Sequence, residues 1–158
     1  MAPRRLFCSL FAALPDMNGL HALVDAFNRG SLDVPAGFFA PGTAYVLNHR
    51  SYESILGGSP DDPLIRMLAR GVAGYRSAAK ALQYAVPGAA MAVEALSEPD
   101  GNGVRAATVR IEGRLRSSGE PFTTHFILQF RCAGAQVMAV EATCSDQDLA
   151  VIAASRRA

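Results

Sequence analysis

Apolar residues recur at helical spacing in the first half of the chain and at alternate positions in the second. Leu20, Leu23, Val24 and Phe27 repeat at three and four, the pattern of a helix with one buried face. Asp16 or Asn18 can cap its start, and Asn28-Arg29-Gly30 supplies a glycine stop. Leu32 to Ala40 predicts one helical turn ended by Pro41-Gly42, and Thr43 to Asn48 a short strand. A loop from His49 to Pro60, rich in glycine and serine, follows, with Gly57-Gly58 able to hinge a lid. Asp61-Asp62-Pro63 then opens a second helical region, acidic at the cap with proline in the first turn. Its apolar positions run from Leu64 to Leu82 and stop at Val86-Pro87-Gly88, and Gly71 and Gly74 can divide it into two helices.

From residue 89 the period falls to two. Ala90 to Ser97, Val104 to Arg116, Phe122 to Arg131 and Gln136 to Cys144 predict four consecutive strands joined by short loops, hence antiparallel. Ser145-Asp-Gln-Asp148 resembles a capping box before a last helix from Leu149 to Ala154. Helices first and a meander after predict an α+β domain with helices on one side of a curved antiparallel sheet.

Composition narrows the class of function. The 158 residues are half hydrophobic, 18% charged and formally +1. Such a chain folds as one domain and shows no field suited to nucleic acid or anionic lipid. Three scattered cysteines (Cys8, Cys132, Cys144) and three scattered histidines (His21, His49, His125) fit neither a disulfide framework nor a zinc site, so no metal is expected. Residues 1–17 read as an N-terminal extension and 18–158 as the domain. Two arginines before a short apolar run imitate a signal peptide, yet no A-x-A-like site precedes Pro15. No stretch approaches the ~18 apolar residues of a membrane span. The expectation is a cytoplasmic protein with no membrane contact.

Alternation sorts the strand residues into two faces. Arg110, Glu112 and Arg114 share one face with His125, Ile127 and Gln129, and with Ala139, Glu141 and Thr143. Val109, Ile111, Leu115, Phe126, Leu128, Phe130 and Val140 share the other. A four-residue loop over Ser117 to Glu120 would set Glu112 opposite His125. A three-residue loop over Ala133 to Ala135 would set Thr143 opposite His125 and Glu141 opposite Ile127. A two-residue second loop would instead flip the last strand. Charged residues on one sheet face usually mark the solvent side, with Phe126 and Phe130 toward the core. The alternative places the polar face inside a helix-covered cavity, where a carboxylate-paired histidine could move protons. Tyr45 and Tyr75 could donate hydrogen bonds into such a cavity, or sit at the core edge.

Val24-Asp-Ala-Phe-Asn-Arg-Gly-Ser-Leu-Asp33 with Phe38-Phe-Ala-Pro-Gly-Thr-Ala-Tyr-Val46 resembles the opening of SnoaL-like domains of the NTF2-like superfamily. Gly71-Val-Ala-Gly-Tyr-Arg76, Tyr84-Ala-Val-Pro87, Met91-Ala-Val-Glu94 and the meander ending at Val140-Glu141 and Ser145-Asp146 are similar to its later elements. The resemblance spans roughly residues 18 to 150. It implies an NTF2-like cone-shaped α+β barrel whose concave sheet face, closed by helices, forms a pocket for a small apolar or polycyclic substrate. Polyketide cyclases, ketosteroid isomerases, limonene-epoxide-hydrolase-like enzymes and non-catalytic binding proteins share that fold. Arg110-x-Glu112 stands where the epoxide-hydrolase-like branch carries Arg-x-Asp. Thr143 replaces that branch's second aspartate and cannot help activate water.

The resulting expectation is cofactor-free acid/base catalysis of isomerisation, cyclisation or dehydration beside a carbonyl. His125 would be the base, oriented by Glu112, with Arg110 or Tyr45 stabilising the oxyanion. Tyr45, Asn48, Ile127, Glu141 and Thr143 would contact substrate. A non-catalytic ligand-binding or dimerisation module is the alternative. With the polar face inward, Val109, Ile111, Phe126, Leu128 and Phe130 would form a convex apolar patch, which predicts a homodimer through the sheet.

Overall fold

The computed structural model describes residues 17–157, so Asp16, Cys8 and most of the predicted extension lie outside the described residues. Helix α1 (Met17–Asn28) is followed by strand β1 (Phe39–Leu47), β2 (Arg50–Ser51) and helices α2 (Tyr52–Ile55), α3 (Pro63–Ala69) and α4 (Gly71–Ala85). The meander β3 (Ala90–Leu96), β4 (Val104–Arg114), β5 (Pro121–Ala133) and β6 (Gln136–Thr143) leads into helix α5 (Asp146–Arg157). The six strands form one curved, unclosed sheet in the order β2-β1-β6-β5-β4-β3, in which β1 pairs parallel to β6 and every other pair is antiparallel.

Local chemistry explains most boundaries. Asp62 caps α3 by accepting from the Leu64 amide at 2.9 Å, with Pro63 at the first helical position. The predicted break comes at Gly71, whose φ is +63°. A β-carbon there would stand 2.5 Å from the Pro41 carbonyl oxygen, so only glycine fits. Leu32 to Ala40 holds no helical turn. Gly37 at φ +76° turns the chain, and the Phe38 amide bonds back to Pro35 O. Pro41-Gly42, expected to precede the strand, instead forms an irregularity within β1. There the Thr43 hydroxyl lies 2.8 Å from both Ala40 O and Val137 O. Ser145 caps α5 by accepting from the Asp148 amide, but the box is half-made, because the Asp148 carboxylate accepts from the buried Thr124 hydroxyl at 2.7 Å.

Both hairpin registers differ from the expected ones. The β4–β5 loop spans 116–119, one residue earlier than expected, closed by Leu115 N to Glu120 O at 2.9 Å. Gly119, at φ +73°, occupies the final loop position, which demands the left-handed conformation. Arg110 therefore faces His125, and Glu112 faces Thr123. The β5–β6 turn has two residues, since Ala133 pairs with Gln136, which alone would flip the strand. A bulge between Arg131 and Cys132, with Met138 as the extra residue on β6, restores the original face. Ile127 consequently faces Thr143, and Gln129 faces Glu141.

The core lies between the helices and the apolar sheet face. Leu20, Leu23, Val24 and Phe27 of α1 pack with Ala79 and Ala85 of α4 against Val109, Ile111, Phe130, Val137 and Val140. Each fully buried large side chain contributes about 1.5–3 kcal/mol relative to exposure. Asn28 fastens α1 to the sheet edge: its side-chain amide donates to Met91 O at 2.9 Å and accepts from Met91 N at 2.6 Å.

Candidate functional site

The apolar face, not the charged one, is concave and covered. A cavity of about 330 Å³ opens between that face and the helices, within the range of small-molecule sites. Val109, Ile111, Phe126, Leu128, Phe130, Val140 and Ala142 form its floor. Leu20, Leu23 and Val24 of α1, Tyr75 to Leu82 of α4, and Leu149, Ile152, Ala153 and Arg156 of α5 form its sides. Alternation accounts for the floor, because these positions share one pleat side. A helix with an apolar stripe can bury it only on an apolar sheet face.

Polar chemistry in the wall is sparse. Among the described residues, only Tyr45, Tyr52, Tyr75 and Arg156 bring polar side chains to it. The Tyr45 hydroxyl donates to Gly71 O at 2.6 Å, so the left-handed glycine that ends one helix run also anchors a wall phenol. Burial, with Tyr75 adding to it, holds the Tyr45 phenol well above its ordinary range. The Tyr52 hydroxyl meets Ser77 Oγ at 2.8 Å. The Tyr75 hydroxyl is buried with no hydrogen-bond partner among the described residues, and burial pushes that phenol up to about 12. It is therefore a neutral donor across the physiological range. The Tyr45 ring meets Phe39 edge to face and the Tyr75 ring meets it at a tilt, with centroids 5.8 and 5.6 Å away.

Next to the wall, Glu53 is almost fully buried and accepts from Arg70 Nε at 2.7 Å. Burial raises its carboxyl, but the hydrogen bond and charge of Arg70 outweigh that and leave it below the ordinary carboxylate range. This pair ties α2, which carries Tyr52, to the α3–α4 junction.

The expected catalytic group sits on the other side of the sheet. Arg110, Glu112 and His125 lie on the outer face, which overturns their placement in the cavity. Expected to face Glu112, His125 is half exposed, and its Nε2 stands 2.9 Å from Glu94 Oε1. Arg110 Nη1 takes the other oxygen of Glu94 at 3.0 Å, and Glu112 stands 3.8 Å from Arg110 Nε. Glu94 lies two residues beyond Ala92, which faces Arg110, so alternation places it on this face, beside a β3 bulge between Val93 and Ala95. Of the expected substrate contacts, only Tyr45 lines the cavity. Ile127 is 49% exposed, Thr143 lies opposite it, and Glu141 stands 3.7 Å from exposed His49. Asn48 is structural. In the left-handed conformation (φ +47°), it donates to Cys144 O at 3.0 Å and accepts from Cys144 N at 2.9 Å. The convex apolar patch invoked for a homodimer is the cavity floor, so that argument for dimerisation falls. No cluster of three metal-ligating side chains occurs among the described residues.

No family model and no curated protein matches the sequence. Solved structures do match the fold. One, from Jannaschia sp. CCS1 and provisionally named a SnoaL-like polyketide cyclase, superposes with a TM-score of 0.62 at 16% identity, covering 90% of this chain and 92% of that one. A SnoaL-like polyketide cyclase from Agrobacterium tumefaciens gives 0.58 at 15%, covering 83% and 91%. AclR from Streptomyces galilaeus, provisionally named a hydroxylase, gives 0.57 at 14%, covering 98% and 87%. The chain thus has the NTF2-like α+β fold that these structures share. At such identities the match concerns the fold alone.

Proposed function

We propose that the chain binds an apolar, carbonyl-bearing small molecule in the helix-covered cavity. The observation that carries this reading is a roughly 330 Å³ apolar hollow in a core otherwise closed by packed side chains. Apolar surface in the wall would drive binding, and the unpartnered Tyr75 hydroxyl, after a small rotation of its ring, would donate to the carbonyl. Fold neighbours named as polyketide cyclases make a flat, ring-bearing ligand the natural choice.

Catalysis of isomerisation, cyclisation or dehydration is the second reading, favoured by the same free phenol. Tyr75 would act as an oxyanion donor and a solvent water or hydroxide entering the cavity would take the α-proton, while His125 and Glu112 would take no part because they face away. Deuterium exchange at the carbon beside a bound carbonyl, followed by NMR, checks it.

A thermal-shift screen of flat polycyclic ketones tests the binding reading. At a hundredfold excess over Kd, a ligand stabilises by about 2.7 kcal/mol, or roughly 5–10 °C for a domain this size. Ala142→Phe, which fills the floor, should abolish the shift while circular dichroism stays unchanged. Absence of any shift across the panel defeats the reading.

A further inference from the structure

Arg156 is the one charged side chain in the cavity wall among the described residues, and it makes no hydrogen bond or ion pair with any of them. Arg70, Arg110, Arg76 and Arg105 are engaged, but Arg29, Arg50 and Arg131 likewise have no side-chain partner among the described residues, so what sets Arg156 apart is its place in the wall. Its backbone is firmly held. The fully buried Ser155 donates to Ala85 O at 2.7 Å and accepts from Ser117 N at 3.2 Å, which fixes the last turn of α5 against the end of α4. Compensation of the helix dipole explains a cation in this turn, but Arg157 already supplies one outside the wall.

We infer that the ligand carries a carboxylate, seated on Arg156 at the cavity mouth, with its apolar body inside. This inference rests on the cavity being a ligand site. The aliphatic stem of Arg156 extends the apolar wall and leaves the guanidinium at the edge. That planar fork matches a carboxylate with two parallel hydrogen bonds, at an exposed position open to solvent. Position sets the ligand's shape as well. Tyr75 and Ala85 are ten residues apart on α4, about 15 Å along the axis. The donor phenol and the guanidinium are therefore carried by wall segments about 15 Å apart along α4, which suits an acid whose carbonyl is separated from its carboxylate.

Calorimetric titration of the full chain with fluorenone and with a fluorenone carboxylate tests this. The acid should bind roughly tenfold tighter, and its advantage should shrink with added salt. Arg156→Gln should bring the acid-to-ketone affinity ratio close to one, while Arg156→Lys should keep part of the advantage. Equal binding of the two compounds, or an advantage that survives Arg156→Gln, overturns the carboxylate and leaves the cavity reading standing. A phosphate monoester of the same ring system that binds tighter than the acid also overturns it. Failure of both compounds to bind removes the cavity reading as well.

Discussion

The two faces of the meander use the same strands and differ in almost everything else. Inward, Val109, Ile111 and Phe130 are at most 3% exposed and support the cavity. Outward, Glu94, Arg110 and His125 make close ion pairs at 35–51% side-chain exposure. Charge pairs of good geometry thus sit where water weakens them, while the cavity relies on burial and three phenols. A compact cluster of acid, base and cation is not a site unless the fold encloses it.

The largest effect should follow damage to the inner face. Phe130→Ala removes a buried ring and should cost about 3–5 kcal/mol, read from urea denaturation. The Glu53–Arg70 pair comes next. Glu53→Gln should cost about 3 kcal/mol by stranding Arg70 in a mostly buried setting. Because the folded carboxyl is depressed, its contribution is present above the unfolded value of about 4.3 and is lost as pH falls through the folded one. The variant should therefore lose less stability than the parent between neutral pH and acid, measured as thermal midpoints across a pH series.

The smallest effects belong to the outer face. Arg110→Ala and His125→Ala should each cost less than about 1 kcal/mol and leave ketone affinity in the cavity unchanged. A large loss of affinity on either change would mean that the outer cluster takes part in binding after all. A homodimer through this face remains a proposal on a new footing, the exposed Ile127 and Met138. Ile127→Lys should then halve the mass seen by sedimentation, and an unchanged mass removes the proposal.

Much of the fold was legible. The stripe of Leu20, Leu23, Val24 and Phe27, the Asp62-Pro63 start, the break at Gly71 and the four strands all follow from spacing and turn chemistry, which act over a few residues. The site was legible in part. Tyr45 and Tyr75 stood out as possible donors, and the correct face lay in the alternative that put Phe126 and Phe130 toward the core. One available signal favoured that alternative, because the apolar helix stripe needs an apolar sheet face to cover, while Gly119 at the last loop position pointed to the observed register. Glu94, in contrast, meets His125 only through the registers of three paired strands, and Arg156 reaches the cavity only because Ser155 pins α5 to the end of α4. Neither arrangement leaves a mark at short range.

By itself, then, the sequence determined the order of elements and the division of each strand into a charged and an apolar side, since both arise from local sterics and a period of two. Which side is enclosed, which residues face one another across hairpins and which arginine guards the cavity were decided by tertiary structure. Those choices depend on burying the helix stripes and the sheet at the same time, a condition that residues far apart in the chain satisfy together.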